Sequence, residues 1–284
     1  MSSQPSADFA RSCVPSITSS GRRVSLLTDD GVCIEAEYTP RRPARAGAPA
    51  AAPDGLVVVL AHGFTGSLDR PALRRAAAVF AQHSPVVTFS FRGHGRSGGR
   101  STVGDREVLD LAAAVRWARI LGHTRVATVG FSMGGSVVIR HAAEYRQAHE
   151  GRTGAHTDMV VAVSAPARWY YRGTAAMRRL HWVVERPLGR LVGRLGLHTR
   201  IHSRGWDPVP LSPTEAAPLI APTPLLIVHG DRDPYFPLDH PRALAAAAAP
   251  DSTDLWIEPG YGHAENAAPP ELLTRIASWL NEHG

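Results

Sequence analysis

The sequence predicts an α/β fold in which helices cover both faces of a mainly parallel central sheet. Short apolar segments alternate with helical segments along most of the chain, a pattern typical of buried parallel strands. One apolar strand leads through an abrupt turn at Ser132, between Gly130 and Gly134, straight into a helix. The chain has 284 residues, of which 44% are hydrophobic and 20% are charged, so it can bury such a core within one domain.

The first part of the chain predicts a loose segment followed by a hairpin. Residues 1–20 are rich in Ser and Pro, and we expect them to be poorly ordered. Arg22–Thr28 and Val32–Thr39 alternate apolar and polar residues on either side of Asp29-Asp30-Gly31, which indicates two antiparallel strands. The Pro-, Ala- and Arg-rich stretch Pro40–Gly55 then predicts a surface loop.

The N-terminus and the cysteine content predict the compartment. No basic start followed by an apolar block occurs, and no apolar run reaches the ~18 residues that span a bilayer. We therefore expect a cytoplasmic protein. Cys13 and Cys33 are the only cysteines, too few for a disulfide framework, and both are expected to be free thiols.

Regular β-α alternation begins at Leu56. The predicted strands are Leu56–Ala61, Val86–Phe91, Arg125–Val129, Met159–Ser164, Pro224–His229 and Asp254–Ile257. The predicted helices are Pro71–Gln82, Gly104–Leu121, Met133–Ala148, Pro241–Ala249 and Pro270–Glu282. The alternation stops only between residues 166 and 217, called the insertion below. We therefore assign residues 21–165 and 218–284 to the core.

The turn at Ser132 has the G-x-S-x-G pattern of a nucleophile elbow. A serine on so tight a turn has a strained backbone, and side chains at Gly130 and Gly134 would collide where strand and helix meet. The turn exposes the Ser132 hydroxyl at the helix N-terminus, where free N–H groups can stabilise an oxyanion. The pattern predicts a serine nucleophile.

A serine nucleophile needs a base, and the base needs an acid to orient it. Both occur downstream, in loops that follow predicted strands at the carboxyl edge of the sheet. His263 is the candidate base, favoured over His229, which precedes the acid, and over His283 at the terminus. The acid is Asp233 or Asp231. We favour Asp233 because it lies farther into its loop, which leaves Asp231 as a turn residue.

The oxyanion donors are expected to be the N–H of Met133, which follows the nucleophile, and the N–H of Phe64 in the loop after Leu56–Ala61. Gly63 in that loop would let the backbone approach the substrate. A second glycine-rich loop, residues 91–97, is interpreted as a structural turn whose Arg and His connect neighbouring loops.

Five motifs follow one another along the chain: HGFTG, FRGHGRSGG, GFSMGG, HGDRDPYFP and GYGHAE. In this order they resemble the α/β-hydrolase superfamily, most closely its esterase, lipase and serine aminopeptidase-like branch, from Leu56 to the C-terminus. The resemblance implies an α/β-hydrolase fold of about eight strands with a helical cap insertion. It implies Ser132 as nucleophile, Asp233 as acid, His263 as base and the Phe64 and Met133 N–H groups as oxyanion donors. Neither metal nor cofactor is implied. Serine at the elbow argues against the dehalogenase and epoxide-hydrolase relatives, which have Asp there.

The insertion is expected to form a helical cap, and it concentrates the positive charge of the chain. Between Arg168 and Arg204 there are nine arginines and one acid, a local net charge of +8 within a total of +6. We favour the interpretation that its arginines are solvated. A second interpretation is that their positive charge attracts an anionic substrate such as an acyl-CoA. A third, less favoured, is that they contact a lipid surface. Trp169 and Tyr170 are candidate substrate contacts. No groove-reading motif accompanies the charge, which argues against nucleic-acid binding.

The function predicted from these residues is hydrolysis of a small-molecule carboxylic ester through a Ser-His-Asp triad and an acyl-enzyme. A thioesterase, acyltransferase or cyclase acting on an acyl-CoA or carrier-bound thioester would use the same triad and is the alternative. A ligand-binding protein without activity is the third possibility. The sequence indicates neither the acyl group nor the oligomeric state.

Overall fold

A nine-stranded sheet forms the centre of the molecule in the computed structural model, which describes residues 16–18, 21–42, 55–146 and 154–283. The strands lie in the order β1-β2-β3-β5-β4-β6-β7-β8-β9. β1, β2 and β3 pair antiparallel, as does β3 with β5, and every later pair is parallel. The predicted α/β fold with a mostly parallel sheet is confirmed.

The strand bounds match the sequence expectations closely. The strands are β1 (Ser16–Thr18), β2 (Gly21–Leu27), β3 (Cys33–Thr39), β4 (Leu56–Ala61), β5 (Val86–Phe89), β6 (Arg125–Phe131), β7 (Met159–Val163), β8 (Leu225–Gly230) and β9 (Thr253–Glu258). β1 differs, since it lies in the segment expected to be poorly ordered but pairs with β2 at the sheet edge. The other residues of that segment, and most of the predicted loop 40–55, lie outside the described ranges.

The helices cover both faces and form most of the insertion. They are α1 (Pro71–Phe80), α2 (Glu107–Ile120), α3 (Met133–Glu144), α4 (Ala175–Glu185), α5 (Pro187–Gly196), α6 (Pro213–Ala216), α7 (Asp239–Ala247), α8 (Ala264–Ala267) and α9 (Pro270–Glu282). α2 begins three residues later than expected, because the Glu107 carboxylate binds the Thr102 and Gly104 N–H groups and holds the preceding residues in a loop.

Two apolar layers enclose the sheet, and β4 contributes to both. Val57 and Val59 pack with α2 and α3 on one face, whereas Val58 and Leu60 pack with α1 and α9 on the other. All four of these side chains are buried, as expected for a central strand covered on both faces. This packing fixes the carboxyl edge of the sheet, from which the candidate site projects.

The structure shows the bonding state of one cysteine and the length of the described helices. Cys33 is disulfide-bonded, so the expectation of a free thiol there is wrong; Cys13 lies outside the described residues. The sequence could not reveal this, because it does not show which chain segments meet. Among the described helices, none is both long and apolar enough to cross a membrane.

Candidate active site

Ser132 lies at the apex of the turn between β6 and α3. Its backbone has φ 52° and ψ −112°, a strained combination for a residue with a side chain. A Cβ on Gly134 would be 2.3 Å from the carbonyl oxygen of Ala61, and one on Gly130 would be 2.1 Å from that of Gly134. Neither site can accept even a methyl group without moving backbone, so the two glycines permit the turn.

Replacing Gly134 with alanine should therefore destabilise the protein. We expect a loss of about 1–3 kcal/mol or more in the free energy of unfolding, because the added methyl group overlaps a backbone oxygen. Urea denaturation followed by circular dichroism measures the change. The matched control is Gly196→Ala, whose Cβ would meet nothing within 4 Å. Equal stability of the two variants would contradict the close-approach argument.

Three loops bring the side chains of Ser132, His263 and Asp233 into one hydrogen-bonded chain. His263 Nε2 lies 2.9 Å from Ser132 Oγ, and His263 Nδ1 lies 2.6 Å from Asp233 Oδ2. A carboxylate can only accept, so Nδ1 carries the hydrogen and the Nε2 lone pair faces the serine hydroxyl. Asp233 Oδ1 accepts from the Tyr235 and Phe236 N–H groups at 2.7 and 3.1 Å. The side chain of the acid is thus buried and held at both oxygens.

The other candidates lie elsewhere. Asp231 Oδ1 accepts from the Gly260 N–H at 2.7 Å and joins two loops, as expected of a turn residue. His229 is buried, and its Nε2 donates to the carbonyl oxygen of Phe236 at 2.8 Å. His283 stacks on Trp279 at the end of α9. None of the three has a described hydrogen bond to Ser132.

The loop after β4 leaves one N–H group available near the serine. The Gly63 N–H binds the Glu265 carboxyl group, the Thr65 N–H binds His94, and the Gly66 N–H binds the carbonyl oxygen of Gly63. The Phe64 N–H has no protein acceptor within the described ranges. Met133 is the first residue of α3, a position at which the N–H lacks an intrahelical partner. Phe64 and Met133 both line the cleft beside Ser132.

Two neutral histidines hold this loop. Burial, and then the neighbouring His94, lower the pKa of His62 well below its usual value, and burial lowers the pKa of His94 to about 4. Both rings are therefore neutral and can accept hydrogen bonds. His62 Nε2 accepts from the Phe91 N–H at 3.0 Å, while its Nδ1 lies 2.7 Å from the carbonyl oxygen of Gly63.

The glycine-rich loop 91–97 has the structural role expected of it. Arg92 is buried and binds Asp110 and Asp30 through five side-chain hydrogen bonds of 2.7 to 3.2 Å. Burial opposes the charge of Arg92, but the two carboxylates more than offset this and raise its pKa. The loop therefore joins α2 to the β2–β3 turn, and His94 supports Thr65.

A cleft of about 1000 Å³, including space open to solvent, leads from the insertion to Ser132. Trp169 and Tyr170 line it as expected, and the Trp169 ring lies 5.0 Å from that of Trp206. Gly63, a predicted substrate contact, is not among the lining residues of the cleft, and its N–H binds Glu265. α4 contributes apolar lining that the sequence analysis had not singled out, namely Met177, Leu180 and Val184.

Sequence reasoning did not identify two further residues that lie beside the triad. The Tyr235 ring lies 4.3 Å from the His263 ring, and Glu265 is almost fully buried under Gly63. Both belong to motifs already recognised, DPYFP and GYGHAE, but local sequence does not show where their side chains go. Within the described part of the chain, no group of three or more His, Cys, Asp or Glu side chains could hold a metal ion.

Residues 57–169, from β4 into the start of the insertion, match the model of the family described as alpha/beta hydrolase fold. Over this stretch the chain is similar to the α/β-hydrolase superfamily. The chain is also 28% identical to a monoacylglycerol lipase of Mycolicibacterium smegmatis over 269 residues, covering 80% of this chain and 88% of that protein.

Solved structures of other proteins share the fold of this chain. The esterase Pf2001 of Pyrococcus furiosus superposes with a TM-score of 0.69 at 23% identity, covering 92% of this chain and 91% of that one. Est1E of Butyrivibrio proteoclasticus, solved with ferulic acid bound, superposes with a TM-score of 0.59 at 20% identity, covering 91% and 98%.

Proposed function

We propose that this chain is a serine hydrolase that cleaves carboxylic esters, with Ser132 as nucleophile, His263 as base and Asp233 as acid. The observation that carries the proposal is the continuous chain of hydrogen bonds, 2.9 Å from Ser132 Oγ to His263 Nε2 and 2.6 Å from His263 Nδ1 to Asp233 Oδ2. Ester hydrolysis also agrees with the similarity to a monoacylglycerol lipase.

The geometry supports a two-step reaction. As Ser132 Oγ attacks the acyl carbonyl carbon, His263 Nε2 takes its proton and Asp233 stabilises the imidazolium. The N–H groups of Phe64 and Met133 donate to the oxyanion. Collapse breaks the bond to the alcohol oxygen, which leaves with the proton from His263. Water then attacks the acyl-enzyme and gives a proton to Nε2. Nε2 passes this proton to Ser132 Oγ as the bond between Oγ and the acyl carbon breaks, and the carboxylic acid leaves.

The lining of the cleft supports an ester with an apolar acyl group. Met177, Leu180 and Val184 of α4 form part of its wall, and Trp169 and Trp206 pack against each other in another part. A panel of p-nitrophenyl esters of increasing chain length tests the proposal, with kcat/KM expected to rise as the chain fills the cleft. Matched acyl-CoAs in the same panel test the thioester alternative, and higher kcat/KM on them would favour it.

The arginines of the insertion give that alternative little support. Arg168 pairs with Asp239 at 2.5 Å, and Arg172 pairs with Glu185 at 2.5 Å. Arg178 donates to the carbonyl oxygens of Arg172 and Gly173. Of the nine arginines only Arg168 and Arg204 line the cleft. Most of the local charge therefore lies on the outer surface of the insertion.

We propose that this outer surface contacts an anionic lipid surface through α5. The helix packs on α4 through its glycines, since a Cβ on Gly189 would be 2.2 Å from the carbonyl oxygen of Trp182. Its large apolar side chains point outward instead, with Leu188 63% and Leu195 68% exposed. Leu191 and Val192 share this exposed face, and exposed arginines surround it. An apolar stripe with a basic border suits a membrane interface.

Replacing Leu188, Leu191 and Leu195 together with serine should weaken binding to phosphatidylglycerol vesicles by at least roughly 100-fold, because burying three leucines contributes several kcal/mol. Vesicle co-sedimentation at low and high salt measures this. Hydrolysis of a short soluble ester should be unchanged, since none of the three lines the cleft. The matched control is Leu27→Ser with Ile120→Ser, which alters two exposed apolar residues outside the insertion. Equal vesicle binding by both variants would refute the docking surface.

A further inference from the structure

The Glu265 carboxyl group lies directly behind the loop that carries Phe64. Its Oε1 accepts a hydrogen bond of 2.9 Å from the Gly63 N–H, and the residue is only 5% exposed. A Cβ on Gly63 would be 3.3 Å from both carboxyl oxygens and 3.4 Å from Ser132 Cβ. The carboxyl group and the nucleophile therefore lie close to the same glycine.

We propose that Glu265 is a positioning residue for the oxyanion hole. By binding the Gly63 N–H, it orients the following peptide so that the Phe64 N–H faces the carbonyl oxygen of the substrate. The inference rests on the proposed function, because it takes Phe64 as an oxyanion donor. Glu265 itself touches no reacting atom.

The hydrogen bonds of the loop explain why this contact matters. The Gly63 and Thr65 N–H groups bind Glu265 and His94 respectively, which fixes the chain on both sides of Phe64. Without the Glu265 acceptor, a buried Gly63 N–H would lack a partner, and the peptide would turn to find another. A displacement of about 1 Å at a catalytic group can cost roughly 100-fold in rate.

Glu265 also links the oxyanion loop to the base, since it lies two residues after His263. The backbone of this segment is anchored on three sides. The Ala264 N–H donates to Ser164 Oγ at 3.1 Å, the Tyr261 hydroxyl donates to the carbonyl oxygen of Ala264 at 2.8 Å, and Arg75 donates to that of Glu265 at 2.9 Å. One rigid segment thus sets the separation between the base and the oxyanion donor.

The Gly63 N–H is the described hydrogen-bond partner of the Glu265 carboxyl group. Glu265 Oε2 is buried without a hydrogen-bond partner in the described structure. Burial raises the pKa of this carboxyl group, although the Gly63 N–H opposes the rise.

Substitution of Glu265 by methionine, which fills the space but accepts no N–H hydrogen bond, tests the proposal. We expect kcat on a p-nitrophenyl ester to fall by about 10- to 100-fold with KM nearly unchanged, because the lost interaction acts in the transition state. Affinity for a boronic acid, which mimics the tetrahedral state, should fall in parallel. Glu265→Gln keeps an acceptor oxygen and should stay within about five-fold of wild-type kcat. Glu265→Leu gives the same comparison if the methionine variant does not fold.

The control is Glu35→Gln, which alters another buried carboxyl group, one whose Oε1 binds Ser90 and the Arg96 N–H instead. It should leave kcat unchanged. Hydrogen exchange in the peptide spanning residues 62–66 gives a readout without turnover, and we expect it to accelerate in Glu265→Met. Wild-type kcat and unchanged exchange in that variant would overturn the positioning role. Accelerated exchange in Glu265→Met, together with a wild-type protein that lacks esterase activity, would instead refute the proposed function alone.

Discussion

Replacement of Ser132 by alanine is expected to lower kcat for ester hydrolysis by about 10⁴-fold or more, because the proposed reaction loses its nucleophile. A fluorophosphonate probe tests the same residue covalently. It should attach to the peptide that contains Ser132 in the wild-type protein and to nothing in Ser132→Ala. Steady-state kinetics and mass spectrometry of the labelled peptide provide the two measurements.

The control for this variant is Ser203→Ala, which alters an exposed serine of the insertion without a described contact to His263. It should keep wild-type labelling and kcat. An adduct on any serine other than Ser132, or activity retained in Ser132→Ala, would contradict the proposed triad. Both variants should unfold at nearly the wild-type urea concentration, since neither change removes apolar packing.

The second large effect is expected at the acid. Asp233→Asn should lower kcat by about 10⁴-fold, since an amide cannot hold His263 in the required tautomer as a carboxylate does. The hydrogen bonds from the Tyr235 and Phe236 N–H groups to Oδ1 can persist with the amide oxygen. The loss should therefore appear in kcat rather than in stability, which kinetics and urea denaturation together distinguish.

Asp231→Asn is the matched control for Asp233→Asn, two residues away in the same loop. The Asp231 side chain binds the Gly260 N–H and makes no described hydrogen bond to His263, so its substitution should change kcat far less and act mainly on local stability. The reverse ranking of the two variants would identify Asp231 as the acid and overturn the assignment of Asp233.

The parts of the site that depend on local backbone geometry were predictable. The turn at Ser132 needs glycine at 130 and 134 because both positions meet neighbouring backbone, and that requirement is visible in five consecutive residues. Strands β4 to β8 were recognised for a similar reason, because burial on both faces makes them short continuous apolar runs. Errors fell at element ends, such as the start of α2, where a side chain competes for backbone N–H groups.

The sequence by itself determined the fold class and predicted Ser132 as the nucleophile, since the apolar strands and the turn at Ser132 are each visible within short stretches of the chain. Only the tertiary structure shows which carboxylate meets His263, because the sequence favours Asp233 by its position in the loop but does not show how the loops after β8 and β9 come together. It also decided the contact between Glu265 and Gly63, which are 202 residues apart. The exposure of the α5 leucines was also decided by tertiary packing. The helix turns its glycines inward, against α4, and a hydrophobic pattern alone would have buried the leucines.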